Sequence, residues 1–112
     1  MKEIWKDIKG YEGLYQISNE GRVKSLKRMN VTKERMMNVN IESSGYARTN
    51  LYINGNEYAK RIHRLVAEHF LDPVEGKDQV GHINGIKTDN RVENLIWSER
   101  GDNLRRILKL KK

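Results

Sequence analysis

The stretch Val80-Gly81-His82-Ile83-Asn84-Gly85-Ile86-Lys87-Thr88-Asp89-Asn90-Arg91-Val92-Glu93-Asn94-Leu95-Ile96-Trp97 decides how this chain is read. Gln79-Val80-Gly81-His82-Ile83 is predicted as a short strand running into an Asn84-Gly85 turn. Residues 86–93 are polar and predict a loop or a short helical turn, with Asn90 as its cap. Asn94-Leu95-Ile96-Trp97-Ser98 predicts a second strand. Leu104, Ile107 and Leu108 then recur at i, i+3 and i+4, which predicts a helix over 99–110. Strand, loop, strand and helix form a compact unit that can aim a histidine and an amide, Asn103, at one phosphate. Phosphodiester hydrolysis needs a base for the attacking water and a cation for the charge that develops. Histidine titrates near neutrality and suits the first role. Amide and carboxylate oxygens suit a hard ion, Mg²⁺ or Mn²⁺.

Upstream, Tyr46–Ile53 and Glu57–Ile62 flank Asn54-Gly55-Asn56, a strong hairpin signal. The period then changes, and 63–70 predicts one short helix ended by Asp72-Pro73. Nearer the N-terminus, Ile4–Ile8, Leu14–Ser18 and Arg22–Leu26 alternate apolar and polar residues between Gly-containing turns. They predict a small antiparallel sheet with a basic face. Residues 27–35 are polar and basic and read as a loop, and Met36–Ile41 reads as one further strand.

The 112 residues suit one domain, or one domain with a small appendage. The absence of cysteine excludes a disulfide framework and a Cys-based zinc ribbon. No apolar run approaches the roughly 20 residues a bilayer span needs, so no membrane partner and a cytoplasmic setting are expected. The formal charge of +7 is uneven: residues 21–35 carry +5 and residues 99–112 carry +4. Two basic segments around a near-neutral middle suggest a polyanion held along an extended surface.

Val80–Trp97 resembles the HNH motif of phage and intron-encoded homing endonucleases. Ile62–Phe70 is similar to the helix that leads into it in that subfamily. Ile4–Asn19 with Gly21-Arg22-Val23 resembles the small module commonly fused ahead of it. The three segments follow in the expected order over nearly the whole chain. The resemblance implies an α+β fold: a small N-terminal antiparallel β-sheet region, residues 1–45, followed by a ββα-metal (His-Me finger) HNH nuclease fold, residues 46–112. It implies a metal-dependent endonuclease or nickase acting on double-stranded DNA in a bacterial or phage-infected cell. By that likeness His82 is the general base, Asn94 braces the loop and helps orient the histidine, and Asn103 holds a divalent ion, Mg²⁺ or Mn²⁺, with no structural zinc. One position departs from the pattern. The Asp or Asn usual before the base, the second protein ligand, is Gly81 here.

Gly81 leaves three readings open: a weak nuclease completed by DNA phosphates, a substitute oxygen from Asn84, Asp78 or the Gly81 carbonyl, or a chain that binds DNA without cutting it. Arg22, Lys24, Lys27, Arg28, Lys33 and Arg35 are candidate phosphate contacts, as are Arg100, Arg105 and Arg106 beside Asn103. Trp5, Tyr11, Tyr15 and Trp97 read as core and His69 as structural, while His63 reads as structural or as a residue that touches a phosphate or supports the catalytic loop. An RNA-associated basic domain rests on charge alone. Many relatives carry a further C-terminal DNA-binding module, so a short or loosely specified site is expected. Monomer and homodimer are both compatible with the sequence.

Overall fold

The computed structural model describes residues 2–28 and 31–99. Nine short strands and one α-helix lie among them, in three antiparallel sheets. The first sheet joins β1 (Trp5–Asp7), β2 (Tyr15–Ser18), β3 (Val23–Ser25) and β4 (Arg35–Met36) in that order. Tyr15 and Ile17 on β2 and Val23 on β3 alternate inward and are buried.

The second sheet joins β5 (Asn40–Ile41), β6 (Ala47–Ile53) and β7 (Asn56–Arg61). The β6–β7 hairpin forms where Asn54-Gly55 predicts it. Both turn residues hold positive φ, 53° and 78°, as a two-residue turn that follows strand twist requires. Ala47, Thr49 and Leu51 alternate into the core. Helix α1 (Ile62–Phe70) follows directly and buries Ile62, His63, Leu65, Val66 and Ala67. It ends at Leu71, two residues before Pro73, whose ring and missing N–H oppose continuation.

The third sheet is the hairpin of β8 (Gln79–His82) and β9 (Leu95–Ser98). One apolar cluster ties all three sheets to α1: Ile8, Tyr15, Ile17 and Val23 pack with Leu51, Ile62, Val66 and Leu95. The α+β class read from the sequence is the observed one.

Two local readings need correction. Met36–Ile41 is not one strand. Met36 ends β4 in the first sheet, and Asn40 begins β5 in the second. Between them the Thr49 hydroxyl donates to the Asn38 carbonyl at 3.0 Å and holds the crossing. Asn90 does not cap the 3₁₀ turn Val92–Asn94, whose N-cap is Arg91 with no side-chain bond. Asn90 has another partner, described below. The helix predicted over 99–110 lies beyond the described residues except for Glu99.

Candidate active site

His82 closes β8 opposite Leu95 and is 4% exposed. Its Nε2 lies 2.7 Å from Asn90 Oδ1. An amide oxygen only accepts, so a neutral ring in this contact carries its proton on Nε2 and leaves a lone pair on Nδ1. The loop that carries Asn90 is held by Asn94. The Asn94 side-chain amide donates to Asn84 Oδ1 at 2.9 Å and to the Asp89 carbonyl at 2.8 Å. Its Oδ1 accepts from the Asn84 backbone N–H at 3.0 Å. Asn94 therefore ties the two ends of the loop together. Asn94 thus braces the loop, and the side-chain contact to His82 comes from Asn90. Its residue type gave the only sequence signal, and loop asparagines are common turn formers.

Asp89 and Arg91 stiffen the same loop. Two guanidinium nitrogens of Arg91 bond the Asp89 carboxylate at 2.8 and 2.9 Å, and Asn84 Nδ2 donates to it at 2.9 Å. The bond from Arg91 is the main cause that draws the Asp89 carboxyl down to about 2.

His63, one reading of which is support of the catalytic loop, stands against His82 together with Tyr46, which sequence reading did not single out. The Tyr46 and His63 rings stack at 4.9 Å and 22°, and the His63 centroid is 5.2 Å from that of His82. His63 is 5% exposed and its Nδ1 has no hydrogen-bond partner. Burial first, then His82 and the nearby arginines, push it down to about 4. It is therefore neutral at physiological pH. Over the Tyr46 ring sit the Arg61 guanidinium at 4.6 Å and Lys87 Nζ at 4.8 Å. Lys87 also donates to the Ser44 carbonyl at 2.8 Å. His69 has the structural role expected. It accepts from the Lys9 N–H at 2.9 Å through Nε2, and Nδ1 lies 2.7 Å from the Leu65 carbonyl.

The structure separates the basic candidates. Arg22 pairs with Glu3, and Lys24 pairs with Glu34 at 3.0 Å while lying 4.4 Å over Trp5. Arg28 spends one nitrogen on Leu14 O, Ser25 Oγ and Leu26 O, which is a structural role. Lys27, Lys33 and Arg35 carry no ion pair among the described residues, and all three are exposed. Arg100, Asn103, Arg105 and Arg106 lie outside the described residues. Tyr11 and Tyr15 are core, as read. Trp97 is half-buried under the Arg64 guanidinium.

Among the described residues the donor set does not by itself fit a divalent ion. No group of three His, Cys, Asp or Glu side chains gathers among the described residues. Gly81 has no side chain to offer, and its backbone is paired with Ile96.

Comparison with known proteins identifies relatives of the chain. Residues 3–52 match the NUMOD4 motif and residues 60–105 match an HNH endonuclease family. The DNA endonuclease I-HmuI of Bacillus phage SP01 is 43% identical over 93 residues, 83% of this chain and 51% of that protein. An uncharacterized HNH endonuclease of Acanthamoeba polyphaga mimivirus, L247, is 39% identical over 91% of this chain and 25% of its own length. A solved structure described as DNA binding and cleavage by the HNH homing endonuclease I-HmuI superposes with a TM-score of 0.78. It is 38% identical and covers 96% of this chain and 59% of that one. The chain thus spans about half the length of I-HmuI and a quarter of the mimivirus protein. With a NUMOD4 motif ahead of an HNH segment, and with both sequence and fold like those of I-HmuI, the chain belongs to the HNH endonucleases of the phage and intron-encoded homing type.

Proposed function

We propose that this chain hydrolyses phosphodiester bonds of double-stranded DNA, with His82 as general base. The observation that carries the reading is the 2.7 Å contact from His82 Nε2 to Asn90 Oδ1, which leaves Nδ1 as the proton acceptor. The likeness to I-HmuI, a named DNA endonuclease, supports DNA as the substrate. In the step, Nδ1 takes one proton from a water. The water oxygen forms a bond to phosphorus as the bond to one deoxyribose oxygen breaks, and that oxygen leaves with a proton from solvent. One His82 per chain serves one phosphate, so a single chain cuts one strand per encounter.

Residues 1–45 are read as the DNA-contacting module and residues 46–112 as the nuclease domain. Of the basic residues in 21–35, Lys27, Lys33 and Arg35 are exposed with no ion pair among the described residues, and they suit phosphate contact. A divalent ion, Mg²⁺ or Mn²⁺, is the cofactor that the family implies. Asn103 is its expected protein ligand, and the proton transfer above is assigned to His82 without it.

Gly81 favours a second reading, a chain that binds DNA and does not cut it. Plasmid nicking with Mg²⁺ or Mn²⁺, against an EDTA control, separates the two. In the first reading the chain converts supercoiled plasmid to the open circle, and His82→Ala abolishes this while DNA affinity stays unchanged. Cleavage retained in His82→Ala removes His82 from the role of base. No nicking by the parent chain under any metal condition leaves the binding reading.

A further inference from the structure

The residue that fixes His82 is itself seated on the N-terminal module. Gly21 lies in the β2–β3 turn with φ +84°. A Cβ placed on it would stand 2.9 Å from Asn90 Cβ and 3.0 Å from the Asn90 carbonyl oxygen. Glycine is required here both by the backbone conformation and by the closeness of Asn90. Two residues earlier, the Asn19 carbonyl accepts from the Val92 N–H at 2.8 Å, on the other side of Asn90 in sequence. The turn is fixed from behind. Asn19 is buried, accepts the Ile4 N–H on Oδ1 at 2.8 Å and donates its own N–H to the Ile4 carbonyl at 3.0 Å. Ser18 Oγ accepts from the Glu20 and Arg22 N–H groups at 3.2 and 3.1 Å.

We propose that the Asn19–Gly21 turn is a positioning element for His82, acting through Asn90. The turn presses on Asn90 and anchors Val92, and Asn90 Oδ1 then selects the ring tautomer of His82. The N-terminal module thereby completes the candidate active site as well as meeting DNA. The inference rests on His82 as the working base only for its effect on rate. Its effect on the His82 ring stands separately.

The experiment uses the full chain with ¹⁵N-labelled histidine, so that the spectrum reports which ring nitrogen carries the proton. The parent chain should show His82 with Nε2–H. Gly21→Ala should displace Asn90 and turn this into a mixture of tautomers. The kcat for plasmid nicking should fall roughly ten- to a hundredfold, with little change in KM. Gly13→Ala is the control, because Gly13 has φ +79° and nothing within 4 Å of an added Cβ. It carries the same backbone strain without the contact and should leave the His82 ring unchanged. Gly21→Asn keeps the contact but eases the strain, since asparagine tolerates left-handed backbone. It serves if the alanine variant does not fold, and it should show the same mixed tautomer. Asn90→Ala should reproduce the mixture, and Asn90→Asp, which keeps an acceptor, should restore Nε2–H. An unchanged His82 ring in a folded Gly21→Ala or Gly21→Asn chain overturns the inference. A parent chain that never nicks, with the ring still responding to Gly21, defeats the nuclease reading and leaves the coupling standing.

Discussion

His63 should make this protein sensitive to mild acid. Its ring is buried between Tyr46 and His82, and Nδ1 has no partner. Burial and the neighbouring His82 take it from the ordinary 6.5 to about 4 in the folded chain. The folded pKa is depressed, so between these values the unfolded chain binds the proton more readily. The associated stability is complete above about pH 6.5 and is lost as pH falls toward 4. With those two values, linkage gives a loss of about 2 kcal/mol between roughly pH 8 and pH 5. The assay is urea unfolding followed by the fluorescence of Trp5 and Trp97, for the parent chain and for His63→Gln. The variant should start less stable, because its amide loses the stack on Tyr46. Between the two pH values it should lose about 2 kcal/mol less than the parent. Groups that do not touch His63 are common to both chains and cancel in the difference. Parallel stability–pH curves would refute a neutral, desolvated His63.

Gly81→Asp keeps an extended strand residue opposite Ile96 and adds a carboxylate beside His82. Titration calorimetry should then show tighter Mg²⁺ or Mn²⁺ binding, and plasmid nicking should accelerate; unchanged metal affinity would sink the missing-donor account. For DNA binding, Lys33→Ala or Arg35→Ala should each lower the slope of log K against log salt by roughly 0.9, the value for one lost phosphate contact. Arg28→Ala should cost stability instead, because its guanidinium holds Leu14, Ser25 and Leu26. A full phosphate-contact effect from Arg28→Ala, with stability untouched, would show that its internal bonds do not form in solution.

Much of the local structure was legible because the forces behind it are local. Asn54-Gly55 needs only its own backbone freedom to make the turn, and the period of 63–70 needs only one buried face. The division of Met36–Ile41 was not legible. Two-residue strands have too few residues to show a period, and the crossing depends on Thr49, eleven positions away. The basic cluster of 21–35 was visible as composition. Which of its members are spent on Glu3, Glu34 and the Leu14 carbonyl depends on where the sheet places those acceptors.

By itself the sequence determined the kinds of element, their order, and the chemistry available at the end of β8, an imidazole beside an amide-rich loop. Tertiary structure alone decided which amide reaches that imidazole. Asn90 and Asn94 are alike in type, but the fold brings Asn90 Oδ1 to His82, spends the Asn94 amide on Asn84 and Asp89, and packs the loop against Asn19 and Gly21. That packing joins residues about seventy positions apart, and a contact of that reach leaves no periodic trace along the chain.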